Sequence, residues 1–170
     1  MLYNGDMEKE KFNIVTLVSN DGCFDLQFRK DTRHERSGSP TYYRWKIQFV
    51  ITTPKENVKV LEKAKKIIGC GNVSVAGSQA RFSVQKIGDI TDAVIPYFQK
   101  NTLAGKKKKD FDLWQKAVEI IRRNKGVPIA KWKKSDLLYV MEIHNLTAKY
   151  KQKPRKQKWI EMARTLAKTT

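Results

Sequence analysis

Two hydrophobic periods alternate along this chain and divide its first hundred residues into seven elements. Glu8 to Ser19 is dense in apolar residues. Phe12, Ile14, Val15, Leu17 and Val18 are spread round most of a helix, which predicts a short helix that is buried rather than lying on the surface. Gly22 ends it. From Cys23 to Lys30 the period becomes two, with Phe24, Leu26 and Phe28 on one side and Asp25, Gln27 and Arg29 on the other, the pattern of a half-buried strand. Asp31 to Pro40 is polar, is punctuated by Ser-Gly-Ser-Pro, and reads as a loop. Alternation resumes from Thr41 to Thr52, with Trp45, Ile47, Phe49 and Ile51 inward and Arg44, Lys46 and Gln48 outward.

Pro54 then stands where a first-turn proline belongs, and Val58, Leu61, Ala64, Ile67 and Ile68 recur at helical spacing as far as Gly69. Gly71–Ala76 and Gln79–Gln85, separated by Gly77-Ser78, predict a hairpin with Phe82 and Val84 inward and Arg81, Ser83 and Gln85 outward. Ile87 to Phe98 predicts a third helix with Ile90, Val94 and Phe98 on its core face. The order α-β-β-α-β-β-α is one αββ unit used twice. It predicts an α/β fold of the α+β kind: a four-stranded antiparallel sheet with helices on one face and a polar second face.

That polar face carries Gln27, Arg29, Arg44, Lys46, Gln48, Ser74, Arg81, Ser83 and Gln85, side chains that can address base edges and phosphates. Alternation alone predicts only a sheet with one wet face, and surface strands also favour lysine for solubility. The scarcity of acids on this face, where Asp25 stands by itself, favours nucleic acid over plain solvation.

Beyond the repeat, Lys106-Lys-Lys-Lys109 precedes a helix expected over Asp110–Arg123, with Phe111, Trp114, Val118 and Ile121 on one face. Lys131 to Tyr150 predicts short turns and a helix with Leu137, Leu138, Val140, Met141 and Ile143 apolar. The stretch Lys149–Lys158 has six positive and no negative side chains and leads into an amphipathic helix ending at Ala167. The pattern divides the chain into a core of residues 1–125 and a basic helical extension of residues 126–170.

Composition sharpens this picture. A chain of 170 residues suits one domain with a real core. Thirty-five Lys and Arg against seventeen Asp and Glu give a net charge of +18, the signature of a polyanion partner. Nucleic acid is favoured over a membrane surface, because no stretch has the length of a spanning helix and the tryptophans are dispersed. Asp6, Glu8 and Glu10 argue against an acid-poor transit peptide or a secretory signal within this sequence. His34 and His144 stand alone, and Cys23 and Cys70 lack both zinc spacing and the numbers for a disulfide framework. Ser/Cys–His nucleophilic chemistry and structural zinc are therefore not expected, and a reducing compartment is. Charge is also uneven: residues 1–30 carry four basic and five acidic side chains, residues 131–170 eleven and three. Lys107 and Lys109 in the first basic run, with Lys151, Lys153, Arg155, Lys156 and Lys158 in the tail, are the expected phosphate contacts.

Four stretches together resemble a known family: Asp21-Gly22-Cys-Phe with its following strand; Leu61 to Val73, ending Ile-Ile-Gly-Cys-Gly-Asn-Val; Arg81-Phe-Ser-Val with Ile95-Pro-Tyr-Phe98; and Lys106-Lys-Lys-Lys-Asp-Phe-Asp-Leu-Trp114. They are similar to the LAGLIDADG homing endonucleases of organellar introns, in the form with one motif per chain, and the resemblance covers nearly the whole sequence. It implies metal-assisted phosphodiester hydrolysis, with Mg²⁺ held by Asp21 at the end of the motif helix and by the same residue of a second motif helix packed against it. It implies that Lys106 lies near the scissile phosphate and that the basic sheet covers the DNA major groove. Within the motif, Thr16 and Asn20 stand where the family uses glycines for close helix contact, and Thr53 stands where it uses a polar residue, often Gln, near the attacking water. Overpacking at such contacts costs about 1–3 kcal/mol per site.

Two functions follow from the resemblance. The first is a catalytically degenerate protein of this fold that binds structured RNA through its sheet face and basic tail, maturase-like or associated with ribosomal RNA and proteins, and that needs no cofactor. The alternative is an active homodimer making Mg²⁺-dependent double-strand cuts in a specific DNA site. Family habit places either in an organelle, the mitochondrion before the plastid.

Overall fold

The structure, a computed structural model, describes residues 12–32 and 41–148. Asn13 begins the first helix by accepting the Val15 amide on its side-chain oxygen at 2.9 Å, and helix α1 runs Ile14–Asp21. Gly22 turns the chain directly into strand β1 (Gly22–Thr32) without a loop. Its amide donates to the Val18 carbonyl, and its backbone is extended at φ −86°, so no left-handed conformation demands glycine here. Space does. A Cβ at Gly22 would lie 2.6 Å from Val18 Cγ1 and 2.7 Å from the Val18 carbonyl oxygen.

Strand β1 pairs antiparallel with β2 (Thr41–Pro54), setting Gly22 opposite Ile51, Phe24 opposite Phe49 and Asp25 opposite Gln48. A 3₁₀ turn over Lys55–Asn57 leads to α2 (Val58–Ile68), which closes on Gly69 at φ 90°. Strands β3 (Asn72–Ala76) and β4 (Gln79–Val84) form the second hairpin, and β4 pairs with β2 to give the order β1-β2-β4-β3, antiparallel throughout. The two αββ units thus meet at β2 and β4. Helix α3 (Ile87–Asp89) passes through a π-helical segment (Ile90–Val94) into α4 (Ile95–Lys100), and α5 (Gly105–Arg123) and α6 (Lys134–Ala148) complete the described chain.

One face of the sheet is covered. Phe24, Leu26, Phe28, Trp45, Ile47, Phe49, Ile51, Phe82 and Val84 are buried there against helices α1, α2, α4, α5 and α6. Phe24 is the hub, with Phe49, Phe98, Phe111 and Trp114 all within 5.5 Å between ring centroids. Each such aromatic contact adds about 0.5–1.5 kcal/mol beyond its area burial. The Trp114 indole N–H donates to the Asp25 carbonyl at 3.0 Å, which bolts α5 onto β1 and fixes the register of the opposite face.

Several expectations change. Within the described residues the first helix starts at Ile14, leaving Phe12 outside it, and only Ile14 and Val18 are buried. Thr16, Ser19, Asn20 and Asp21 are exposed, because an eight-residue helix laid on a sheet buries one side only. Asp31 and Thr32 extend β1, and Pro54 is the last residue of β2, opposite Gln79, not the first turn of a helix. Ile67 and Leu138 face outward. The basic run Lys106–Lys109 lies inside α5, which begins at Gly105 rather than Asp110. Ile129, Trp132, Leu137, Val140, Met141 and Ile143 join the same core as the sheet. Arg123 binds Asp136 across the α5–α6 junction with both carboxylate oxygens engaged. The stretch Lys149–Lys158, with Lys151, Lys153, Arg155, Lys156 and Lys158, and the helix expected to end at Ala167 lie outside the described residues, as does His34.

Candidate nucleic-acid interface

The uncovered face of the sheet collects the alternate residues of each strand: Asp25, Gln27 and Arg29 from β1, Arg44, Lys46 and Gln48 from β2, and Arg81 and Ser83 from β4, with Gln85 just beyond it. Ser74 sits opposite Arg81 on β3. A recess of about 370 Å³ opens among Asp25, Gln27, Arg29, Lys46, Gln48 and Arg81. These side chains are wired together. Asp25 Oδ2 accepts the Gln48 amide N–H at 2.8 Å and that of Gln27 as well. The Gln27 oxygen accepts Arg29 Nε at 2.8 Å, and the Gln48 oxygen accepts an Arg81 Nη at 3.1 Å.

The chain Arg29–Gln27–Asp25–Gln48–Arg81 revises one expectation. Gln48, expected as an outward base contact, is 4% exposed and committed at both ends of its amide, and Asp25 beneath it is 5% exposed. Arg29, Arg44, Arg81, Ser74 and Gln85 are exposed as expected, while Gln27, Lys46 and Ser83 are half-buried. Burial, and then the neighbouring charges of Arg29, Arg44 and Arg81, hold the Lys46 ammonium below the usual lysine range, with Asp25 pulling the other way. A face that crowds cations until one of them is destabilised is built to meet negative charge.

A second feature lies at the α1–β1 corner. Asp21, the last residue of α1, is exposed. Lys107 reaches back from α5 to donate to the Gly22 carbonyl at 2.6 Å, and Lys106 joins it in lining a recess of about 460 Å³ with Ser19, Cys23, Asp110 and Thr147. Lys108 bonds Asp112 one turn on at 3.0 Å, and Lys109 is exposed. The four lysines are therefore inequivalent: Lys107, expected to touch phosphate, is engaged in holding the corner. Thr53 lies two residues beyond Ile51, the partner of Gly22, and its parity puts it on the covered side of the sheet. It is 4% exposed, and its buried hydroxyl has no protein hydrogen-bond partner.

A divalent ion at this corner would have the Asp21 carboxylate as its protein ligand. Among the described residues no group of three or more His, Cys, Asp or Glu side chains converges. One carboxylate per chain fits Mg²⁺, which keeps several waters and is commonly held by one or two carboxylates together with phosphate oxygens. Thr16 and Asn20 form an exposed strip on α1, one turn apart. Sequence reading identified the acid, the lysine run and the cationic face, but it missed the roles of Asp25 and Lys107. Asp25 left a visible signal as the one acid on a cationic strand face. Lys107 left none, since its partner is a backbone carbonyl 85 residues away.

These features define a class: an αββαββα protein that sets a cationic, amide-rich sheet face beside a helix ending in an exposed carboxylate. Residues 14–118 match the family model described as LAGLIDADG endonuclease, and the chain belongs to that family. Probable intron-encoded endonuclease 3 of Neurospora crassa is 29% identical over 105 residues, and probable intron-encoded DNA endonuclease 1 of Mycosarcoma maydis is 31% identical over 101 residues. These matches take in 61% and 59% of this chain but only 19% and 34% of those proteins, so the chain spans about a fifth to a third of the length of these relatives. The homing endonuclease I-TnaI shares the fold at a TM-score of 0.68 and 21% identity, over 90% of this chain and 95% of that one. The LAGLIDADG homing endonuclease I-SmaMI bound to cleaved DNA does so at 0.69 and 18%, over 90% of this chain and 47% of that one.

Proposed function

We propose that this chain is a site-specific DNA endonuclease that works as a symmetric pair of α1 helices, each bringing one Asp21 to a shared metal site. The observation that carries the reading is the exposed Asp21 carboxylate at a corner held by Lys107 and flanked by Lys106, next to a cationic sheet face. The sheet lies along the major groove, where Arg29, Arg44 and Arg81 meet base edges and phosphates. Lys106 faces the scissile phosphate and offsets the charge that builds up there. The Asp21 carboxylate of each copy would hold Mg²⁺, which would supply an activated water and neutralise the leaving oxygen. The names of the curated relatives, both endonucleases and one a DNA endonuclease, support DNA as substrate. Their fungal, intron-encoded character supports an organellar gene, mitochondrial before plastid.

The test is Mg²⁺-dependent cleavage of randomised plasmid libraries by the purified chain. Cleavage that disappears in Asp21→Asn while binding persists supports the reading; intact DNA in Mg²⁺ and Mn²⁺ refutes it. One observation favours a second reading, in which the chain binds structured RNA without cutting. Thr16 and Asn20 occupy the exposed strip of α1 along which a second copy would pack, and both are bulkier than glycine. A monomer that retains RNA and leaves DNA whole would establish that reading instead.

A further inference from the structure

Asp25 is an acid among the cations and amides of this face, and it is nearly inaccessible at 5% exposure. A nucleic-acid surface gains nothing from a negative charge as such. What the carboxylate does is geometric. It accepts and does not donate, so each glutamine amide that meets it must turn its NH₂ inward and its oxygen outward. Gln27 and Gln48 both do so, on the same oxygen, Oδ2. Their oxygens then hold Arg29 and Arg81. Each amide oxygen has two lone pairs and spends one of them on its arginine, and each guanidinium keeps N–H groups beyond the one it gives to its glutamine.

We propose that Asp25 is the positioning residue of the base-reading face: through Gln27 and Gln48 it holds Arg29 and Arg81 as two fixed forks that select guanine. The inference rests on the nuclease reading above and names the bases that its sheet reads. A guanidinium fork matches O6 and N7 of guanine bidentately, and the match discriminates only if the fork cannot swing. Two hydrogen-bonded relays converging on one buried carboxylate supply that restraint. Arg29 lies opposite Arg44 and Arg81 opposite Thr52, so the forks are rooted eight residues apart measured along β2. Their heads nevertheless converge, because both relays end on the same Asp25 oxygen. Hydrogen-bond lengths and the span of two amides leave the guanidinium groups no more than about 16 Å apart, and the two guanines therefore fall within about five base pairs of one another at ~3.4 Å of rise.

Asp25→Leu tests this at nearly constant size. A leucine offers no acceptor, so neither glutamine NH₂ has an anchor and neither amide oxygen is held against its arginine. Asp25→Glu keeps an accept-only carboxylate. The full-length chain and both variants are used to select bound sites from a pool of randomised duplex DNA. The wild type is expected to enrich guanine at two positions within about five base pairs of one another, with discrimination of ~5- to 150-fold at each. Asp25→Glu keeps the preference. Asp25→Leu loses it by about tenfold or more at one or both positions, while the slope of log K against log salt stays that of the wild type, because no phosphate contact is removed.

An Asp25→Leu variant with the wild-type base preference, or wild-type enrichment with no guanine pair within that spacing, overturns the proposal and leaves the DNA reading standing. Failure of the wild type to enrich any duplex sequence overturns both. Should Asp25→Leu not fold, Arg29→Lys and Arg81→Lys keep the charge and lose the fork. Each must then relax the base preference at its own position alone, and a preference that neither variant moves refutes the assignment.

Discussion

Alanine at Gly22 separates two accounts of this corner by the sign of its effect. At φ −86° and ψ 153° alanine is as comfortable as glycine, so if backbone freedom were all that mattered, Gly22→Ala would stabilise the fold by about 0.4–1 kcal/mol through the unfolded chain. The structure leaves no room for the methyl. It would sit 2.6 Å from Val18 Cγ1, 2.7 Å from the Val18 carbonyl oxygen and 2.8 Å from Val18 Cα, and two of these three atoms are backbone that cannot swing aside. Relief requires the last turn of α1 to move off β1, which strains the Gly22–Val18 hydrogen bond and shifts the Gly22 carbonyl that Lys107 holds. Overpacking of this kind costs about 1–3 kcal/mol. For a chain of this length that is a fall in Tm of roughly 2–12 °C, with a net sign opposite to the entropic expectation. Thermal unfolding followed by circular dichroism checks it. Cleavage by the folded variant should fall further than stability does, since Asp21 is the residue displaced. An unchanged or raised Tm would refute the steric account of the corner.

The remaining predictions concern the charges. Lys107→Met removes the charged bond to the Gly22 carbonyl and should cost about 1 kcal/mol of stability together with cleavage. Lys106→Met should stay within about 0.5 kcal/mol of wild type and lose cleavage alone; equal destabilisation of both variants in urea melts would show that the two lysines do the same job. Lys46 is held below its usual range by burial and three arginines, so Lys46→Met should raise the stability of the free protein by a few tenths of a kcal/mol while weakening DNA binding and flattening its salt slope by about 0.9. Binding titrations at several salt concentrations measure this, and a steeper slope would contradict it. Asp136 is held below the usual carboxylate range, first by its bond to Arg123 and then by that to Asn124. Its contribution is therefore fully present above about pH 4 and is lost as pH falls through its lower folded value. The stability gap between wild type and Asp136→Asn should accordingly close in acid, and a gap unchanged between pH 7 and pH 2 would show that the α5–α6 junction does not depend on this charge.

Much of the architecture was legible because it depends on local period. The switch from helical spacing to strict alternation at Gly22, repeated after Gly69, determines αββαββ and decides which side of each strand is covered, so Phe24, Ile47, Phe49 and Phe82 could be placed inward from their positions alone. Charge and type then marked the opposite face as cationic. Periodicity failed where a helix lies partly outside the sheet's cover. Ile67 and Leu138 keep the spacing of core residues and yet face solvent, because the width of the buried stripe depends on what packs against it. The same reason explains α1: its apolar residues look buried on most sides in sequence, but the fold covers only the side carrying Ile14 and Val18.

The sequence by itself therefore determined the sheet, its two faces, the acid at the end of α1 and the excess of positive charge, since each of these follows from spacing, side-chain type or summed charge. Tertiary structure decided which polar groups are free to act. Asp25, Gln48 and Lys107 read as outward-facing side chains, the last two as nucleic-acid contacts, until strand register sets Asp25 opposite Gln48 and α5 docks where Lys107 meets Gly22. Their partners are 23 and 85 residues away in the chain, and hydrogen bonds at that separation exist only once the packing that closes them has formed.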